Sequence, residues 1–183
     1  MIIGYFVLLF PLAALLSLAC YLPYGLIRRA RGIRVPMIRH VVCYALIGVV
    51  WSILFVTLLI GGVSFQPGYR LLNLTPFIWL RETYVMGFGP MIEQLAMNVA
   101  MLVPMGFLLP AVCRRMRVWW KTAAAVALAM LAVETIQYFI GRSADIDDLI
   151  MNTAGGLIGY GLFTLANRCL SCRRWWRSAI GDL

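Results

Sequence analysis

Charge is scarce in this chain: its 183 residues include 7 Asp or Glu, 16 Lys or Arg and 1 His, so charged side chains make up 13%. Soluble globular chains carry about 25%, and a chain this depleted does not cover a water-exposed surface. Polar low-complexity tracts and repeated units are missing as well, which removes disordered, solenoid and collagen-like architectures. No GxSxG, Walker A or GxGxxG run occurs, so hydrolase, ATPase and dinucleotide-enzyme readings of known type have no support. The lone histidine, His40, follows Arg39 in a basic stretch, where it reads as a solvated neighbour of lipid headgroups rather than a ligand or a base.

What is abundant is apolar: 63% of the residues, with a mean hydropathy of +0.89. Five stretches are each long enough to cross roughly 30 Å of hydrocarbon at about 1.5 Å rise per residue. They run from Ile2 to Ile27, Val41 to Gly62, Gln94 to Val112, Thr122 to Ile140 and Leu149 to Asn167. The first lacks a basic leader and exceeds the ~7–15-residue core of a signal peptide, so it reads as a retained helix, bent near Pro11 and with Pro23 close to its end. The expected fold is all-α, a polytopic bundle of five transmembrane helices. Residues 1–62 would hold two helices and a basic loop, residues 63–167 an outer loop and three helices, and residues 168–183 a basic tail.

Basic residues set the expected direction. Arg28, Arg29, Arg31, Arg34 and Arg39, then Arg114, Arg115, Arg117 and Lys121, then Arg168, Arg173, Arg174 and Arg177 all fall on one side, and only Arg70, Arg81 and Arg142 on the other. The positive-inside rule then puts the N-terminus outside and the C-terminus in the cytoplasm. Trp79, the Trp119/Trp120 pair and the Trp175/Trp176 pair fall near the expected water–lipid boundaries, which suits an amphipathic indole. Anionic headgroups account for the basic stretches, and no nucleic-acid partner is expected. Cys20, Cys43, Cys113, Cys169 and Cys172 all map to the cytoplasmic half, where no disulfide framework is implied, and the single CxxC of Cys169 and Cys172 reads as plain juxtamembrane thiols.

The acids segregate oppositely. Glu82, Glu93, Glu134, Asp145, Asp147 and Asp148 fall at the outer side and only Asp182 at the inner. Acids contribute little to orientation, so this pattern points instead to an outward-facing polar site. At about 1.5 Å per residue, Asn98, Glu134 and Asn152 lie within roughly 4–9 Å of the outer boundary on three different helices, a depth at which they can meet in one cavity. Glu134, Gln137, Tyr138 and Gly141 follow the i, i+3, i+4, i+7 spacing of one helix face, and Asp145, Asp148, Asn152, Gly155 and Gly159 form a second stripe ending in a GxxxG pair.

A carboxylate inside a span costs ~2.5–3.5 kcal/mol at the bilayer centre and less near the surface. A lone Glu would read as an interhelical tie, to Asn98 or Arg142 for instance, but such bonds average only ~0.6 kcal/mol. Together, Asn98, Glu134, Gln137, Arg142, Asp145, Asp148 and Asn152 read as a ligand-facing set. Oxygen donors of this kind suit a hard divalent cation such as Mg²⁺ or Ca²⁺. They also suit sugar hydroxyls or an ammonium group, with Arg142 available for a phosphate or carboxylate. Two carboxylates at unequal depth can divide into general acid and general base. Spacing does not choose among these, and no residue is assigned as catalytic.

From Asn98 the chain reads NVAMLVPMGFLLP and then ETIQYFIGRSADIDDLIMNTAGGLIGYG. This order resembles the VanZ-like family of bacterial membrane proteins, on Asn98, Pro104, Gly106, Pro110, Glu134, Gln137, Arg142, Asp145, Asp148, Asn152, Gly155 and Gly159. The NLTPF stretch, Asn73 to Phe77, is similar to the Asn-Leu-x-Pro-Phe element that often precedes that core. Ser143 and Ala144 depart from the bulkier residues found there in many members. The resemblance implies a multipass protein of the bacterial cytoplasmic membrane, associated with resistance to teicoplanin and related lipoglycopeptides, with no reaction attached. The function expected is binding of a polar headgroup or glycopeptide-type amphiphile at the outer leaflet. The alternative is an enzyme modifying a lipid-linked cell-envelope substrate. Expected partners are the lipid bilayer and a lipid-linked cell-wall precursor or lipoglycopeptide.

Overall fold

The structure is a computed structural model that describes residues 2–59, 72–80 and 87–182, with side chains from Pro11 onward, Leu59 excepted. Arg70, Arg81, Glu82 and the Gly62 end of the second expected span lie outside the described residues. Helix α1 spans Ile2–Ala30 and α2 spans Met37–Leu54, continuing as a π-helical turn over Phe55–Leu59. Helices α3 (Phe88–Val112), α4 (Trp119–Phe139) and α5 (Ile146–Leu170) follow, then a short α6 (Arg174–Ile180). Two dipeptides, β1 (Leu72–Asn73) and β2 (Ala144–Asp145), make the only strand pairing among the described residues.

Five of these helices are long and apolar enough to cross a membrane: the Pro11–Ala30 part of α1, Met37–Leu58, and the whole of α3, α4 and α5. The chain is thus an all-α membrane-spanning bundle, as its hydropathy indicates. Several boundaries differ from the sequence reading. Helix α1 runs through Pro23 to Ala30, and α3 starts at Phe88 rather than near Gln94. Helix α4 stops at Phe139, and Gly141 has φ 84°, so it does not extend the Glu134 face. Its conformation, which costs glycine little, closes α4 with Gly141 N–H on Tyr138 O and Arg142 N–H on Gln137 O.

Helices α3 and α5 share the tightest seam. A Cβ on Gly155 would lie 2.1 Å from Val99 O, one on Gly159 2.1 Å from Val103 O, and one on Gly106 2.0 Å from Gly156 O. Only hydrogen at these positions lets the two backbones touch, the small-residue packing that holds helices together where lipid removes the hydrophobic drive. Ile53, Leu102, Met105, Val126, Met130 and Val133 fill the space where α2, α3 and α4 meet.

The expected basic tail folds back. Trp176 is 7% exposed and packs with Phe107, Phe163 and Ile180, and its indole donates to Asn167 Oδ1 at 2.9 Å. It is therefore a core residue and not an interfacial one, unlike Trp175, which stays exposed. The Arg39 guanidinium donates to the carbonyls of Ala111 and Val112 at 2.6 Å each and of Ala179 at 3.0 Å. Asp182 meets Arg114 and Arg117 at 2.7 Å each. Partial burial alone would raise the Asp182 carboxyl, but the hydrogen bond and charge of Arg117, joined by Arg114, hold it below the usual aspartate range. His40 is not free in solvent: its Nδ1 is hydrogen-bonded to the Tyr21 hydroxyl, and the two rings stand edge to face.

Candidate functional site

The turn between α4 and α5 organises the polar end of the bundle. Asp145 caps α5, its Oδ1 accepting Asp147 N–H at 2.8 Å, and Asp147 and Asp148 occupy the first turn, where the positive end of the helix dipole favours carboxylates. Ahead of the cap, β2 pairs in parallel with β1, Leu72 opposite Ala144 and Asn73 opposite Asp145. Asn73 Nδ2 donates to both Asp145 oxygens at 3.1 and 3.0 Å, while its own Oδ1 accepts Thr75 N–H at 3.0 Å. Asp147, 4% exposed, accepts Phe77 N–H at 2.6 Å and Trp79 N–H at 3.4 Å. Phe77 has φ 62°, a conformation unfavourable for a bulky residue, and Asp147 anchors it. The NLTPF stretch is thereby fastened across the start of α5.

A cleft of about 210 Å³ opens beside this junction. Its lining is mainly apolar, with Leu72, Leu131 and Leu149 among the walls, and Glu134, Asp145 and Asn73 are the charged or amide residues along it. Glu134 is 7% exposed and sits on the α4 face that also buries Met130, Val133 and Gln137. Its Oε2 accepts Asp145 N–H at 3.1 Å, and among the described residues Oε1 has no hydrogen-bond partner.

The remaining candidates do not line the cleft and are held in separate ties. Asn98 Nδ2 donates to Asp148 Oδ1 at 2.5 Å, joining α3 to α5. Gln137 Nε2 donates to Thr57 O at 3.0 Å, and Arg142 Nη1 donates to the same carbonyl. The π-helical turn that contains Thr57 places this carbonyl where both donors reach it. Asn152 is 2% exposed, and its Oδ1 has no partner among the described residues. Of the seven predicted residues, Glu134 and Asp145 line the cleft, Asn98 and Asp148 pair with each other, and Gln137 and Arg142 meet at Thr57.

Electrostatically these groups form one cluster. Asp145, Asp148 and Arg142 are the charged neighbours acting on Glu134, and Asp145, Asp147 and Arg142 those acting on Asp148. The acids are nonetheless held by neutral donors: the ion pairs among the described residues are both those of Asp182. No three Asp, Glu, His or Cys among the described residues form a metal-ligand set.

Sequence reasoning undervalued Asp147, Asn73 and Thr57. The spacing of DIDD after a turn carries a signal for Asp147, because acids in the first turn of a helix suit the positive end of its dipole. Asn73 is legible as an Asn-x-Thr turn, although its partner is not. Thr57 has no sequence signal, since a π turn leaves no trace in the hydropathy.

The VanZ/LLP1 family profile matches residues 41–167, which takes in α2 to α5 and the whole of this junction. Protein VanZ of Enterococcus faecium is 31% identical over 137 residues, covering 74% of this chain and 79% of that protein. No solved structure gives a significant match. With a family match over most of its length and a relative aligned over three quarters of it, this chain belongs to the VanZ/LLP1 family.

Proposed function

We propose that this protein is a multipass protein of the bacterial cytoplasmic membrane, N-terminus outside, whose cleft at the α4–α5 junction binds the polar part of a glycopeptide-type amphiphile or a lipid-linked cell-wall precursor. By sequestering it at the outer leaflet, the protein would contribute to lipoglycopeptide resistance, the role suggested by its family. The observation that carries this reading is the composition of the cleft: its wall is mainly apolar, with Leu72, Leu131 and Leu149, and Glu134, Asp145 and Asn73 stand beside it, so a concavity that suits a tail carries a few acceptors for a polar head. Leu131 and Leu72 are half exposed, which lets a ligand enter sideways from lipid. The remaining ties hold the cleft in shape: Asn98 to Asp148 on one side, Gln137 and Arg142 to Thr57 on the other.

The test is Glu134→Gln. The amide oxygen can still accept Asp145 N–H, so the fold and the membrane abundance are expected to persist while protection against teicoplanin is lost. Full protection at normal abundance would refute the site. The enzymatic alternative requires turnover. Membrane-lipid mass spectrometry with and without the protein should then show an accumulated precursor and a product, and unchanged lipids favour binding.

A further inference from the structure

The opposite end of the bundle holds a second cavity, of about 950 Å³, between the close of α1 and the start of α2. Its shape follows from the sequence RRARGIRVP. Gly32 takes φ 68°, and the pair of bonds Gly32 N–H to Arg29 O at 3.0 Å and Ile33 N–H to Arg28 O at 3.1 Å ends α1 in a left-handed turn. Pro36 then starts α2 from extended backbone, with φ −60° and ψ 144°, so the chain doubles back over the end of α1. Arg28, Arg29, Arg34 and His40 line the resulting hollow together with Leu22 and Leu26.

Three arginines elsewhere at this end are already engaged. Arg39 is occupied by three carbonyls, and Arg114 and Arg117 by Asp182 and by the carbonyls of Gly181, Ile180 and Pro110. The arginines of the hollow are different. Arg28 lies over the Tyr24 ring at 5.2 Å, and among the described residues no carboxylate pairs with Arg28, Arg29 or Arg34. Three arginines therefore line one concavity with no carboxylate partner among the described residues, and a planar fork of donors suits phosphate oxygens. The wall below them is apolar: Leu22 is 50% and Leu26 63% exposed, on the part of α1 that is within the span. A soluble phosphate has no use for that wall, whereas an acyl chain does.

We propose that this hollow binds the phosphate of an anionic phospholipid, with an acyl chain along Leu22 and Leu26. Basic pockets between helix ends are suited to such headgroups, since each neutralised charge adds to the attraction already exerted by an anionic leaflet. The site is separate from the acidic cleft and does not depend on its reading.

The experiment uses the full chain purified in detergent, incubated with phosphatidylglycerol or phosphatidylcholine, with bound lipid counted by native mass spectrometry. Phosphatidylglycerol is expected to be retained about tenfold better, the effect of roughly one charge-assisted hydrogen bond. The double variant R29Q/R34Q should erase that preference, because among the described residues neither side chain has a partner whose loss would unfold the protein. A control at the same end, R168Q/R177Q, should keep it, and excess inorganic phosphate should leave the lipid bound. Equal retention of the two lipids overturns the proposal even if a variant misfolds. Equal losses in both double variants overturn it in favour of diffuse surface charge, and retention of inorganic phosphate in place of lipid overturns it in favour of a soluble ligand.

Discussion

The two ends of this bundle treat charge in opposite ways. At the basic end, Arg39, Arg114 and Arg117 are absorbed by carbonyls and by Asp182, and the result is mechanical: α6 is clamped onto α2 and α3. At the acidic end, Glu134, Asp145, Asp147 and Asp148 meet only backbone N–H groups and asparagine amides among the described residues. Neutral donors orient a carboxylate without forming an ion pair, so the acids are held by hydrogen bonds while the basic clamp is closed by charge pairs and carbonyls.

The largest effect that would break this contrast lies between the ends, in the seam that carries both. Gly155→Ala puts a methyl 2.1 Å from Val99 O, and Gly106→Ala one 2.0 Å from Gly156 O. Because backbone and not a flexible side chain stands in the way, each is expected to cost at least the ~3 kcal/mol upper end of ordinary overpacking. Thermal unfolding in detergent should show a fall for both, while Gly161→Ala, with nothing within 4 Å of its Cβ, should be neutral.

Next in size is Arg39→Ala. Losing its charge-assisted bonds to three carbonyls should cost roughly 1.5–3 kcal/mol and free α6, seen as a red shift and easier quenching of Trp176 fluorescence. Asp147→Ala is the counterpart at the acidic end. It strands Phe77 N–H at a cost of about 1–3 kcal/mol and should speed proteolysis within the NLTPF stretch without changing Trp176. If either variant perturbs both ends equally, the ends are not independent.

The smallest effect is Asp182→Asn. Its carboxyl is held below the ordinary aspartate range, so the stability it adds is fully present above about pH 4, the unfolded value, and disappears as pH falls through the lower folded value. A partly buried pair at the surface is worth about 1 kcal/mol. Stability measured against pH should show an acid-side step in the parent protein that is absent in the variant.

Much of the acidic end is legible one residue at a time. Asp145 precedes an apolar run and caps it, and Asp148, Asn152 and Gly155 share a face because helix pitch requires it. What was not legible is where each side chain ends. Asn98 and Asp148 are legible as polar positions at similar depth, and their bond to each other across α3 and α5 is not. Gln137 and Arg142 reach a carbonyl of α2 that hydropathy does not mark. The short basic tail gave no sign of docking, because burial of Trp176 depends on Phe107 and Phe163, which lie on two other helices.

Sequence alone determined the five spans and the separation of acids from bases, since bilayer thickness and helix rise act on local stretches of chain. It also determined that glycine had to occupy the α5 stripe. Only the tertiary structure decided which backbone those glycines touch, which carboxylates remain without a cation, and that β1 crosses to β2 to close the cleft. Those outcomes rest on contacts between residues far apart in the chain, where packing and hydrogen-bond geometry, not local pattern, select the partner.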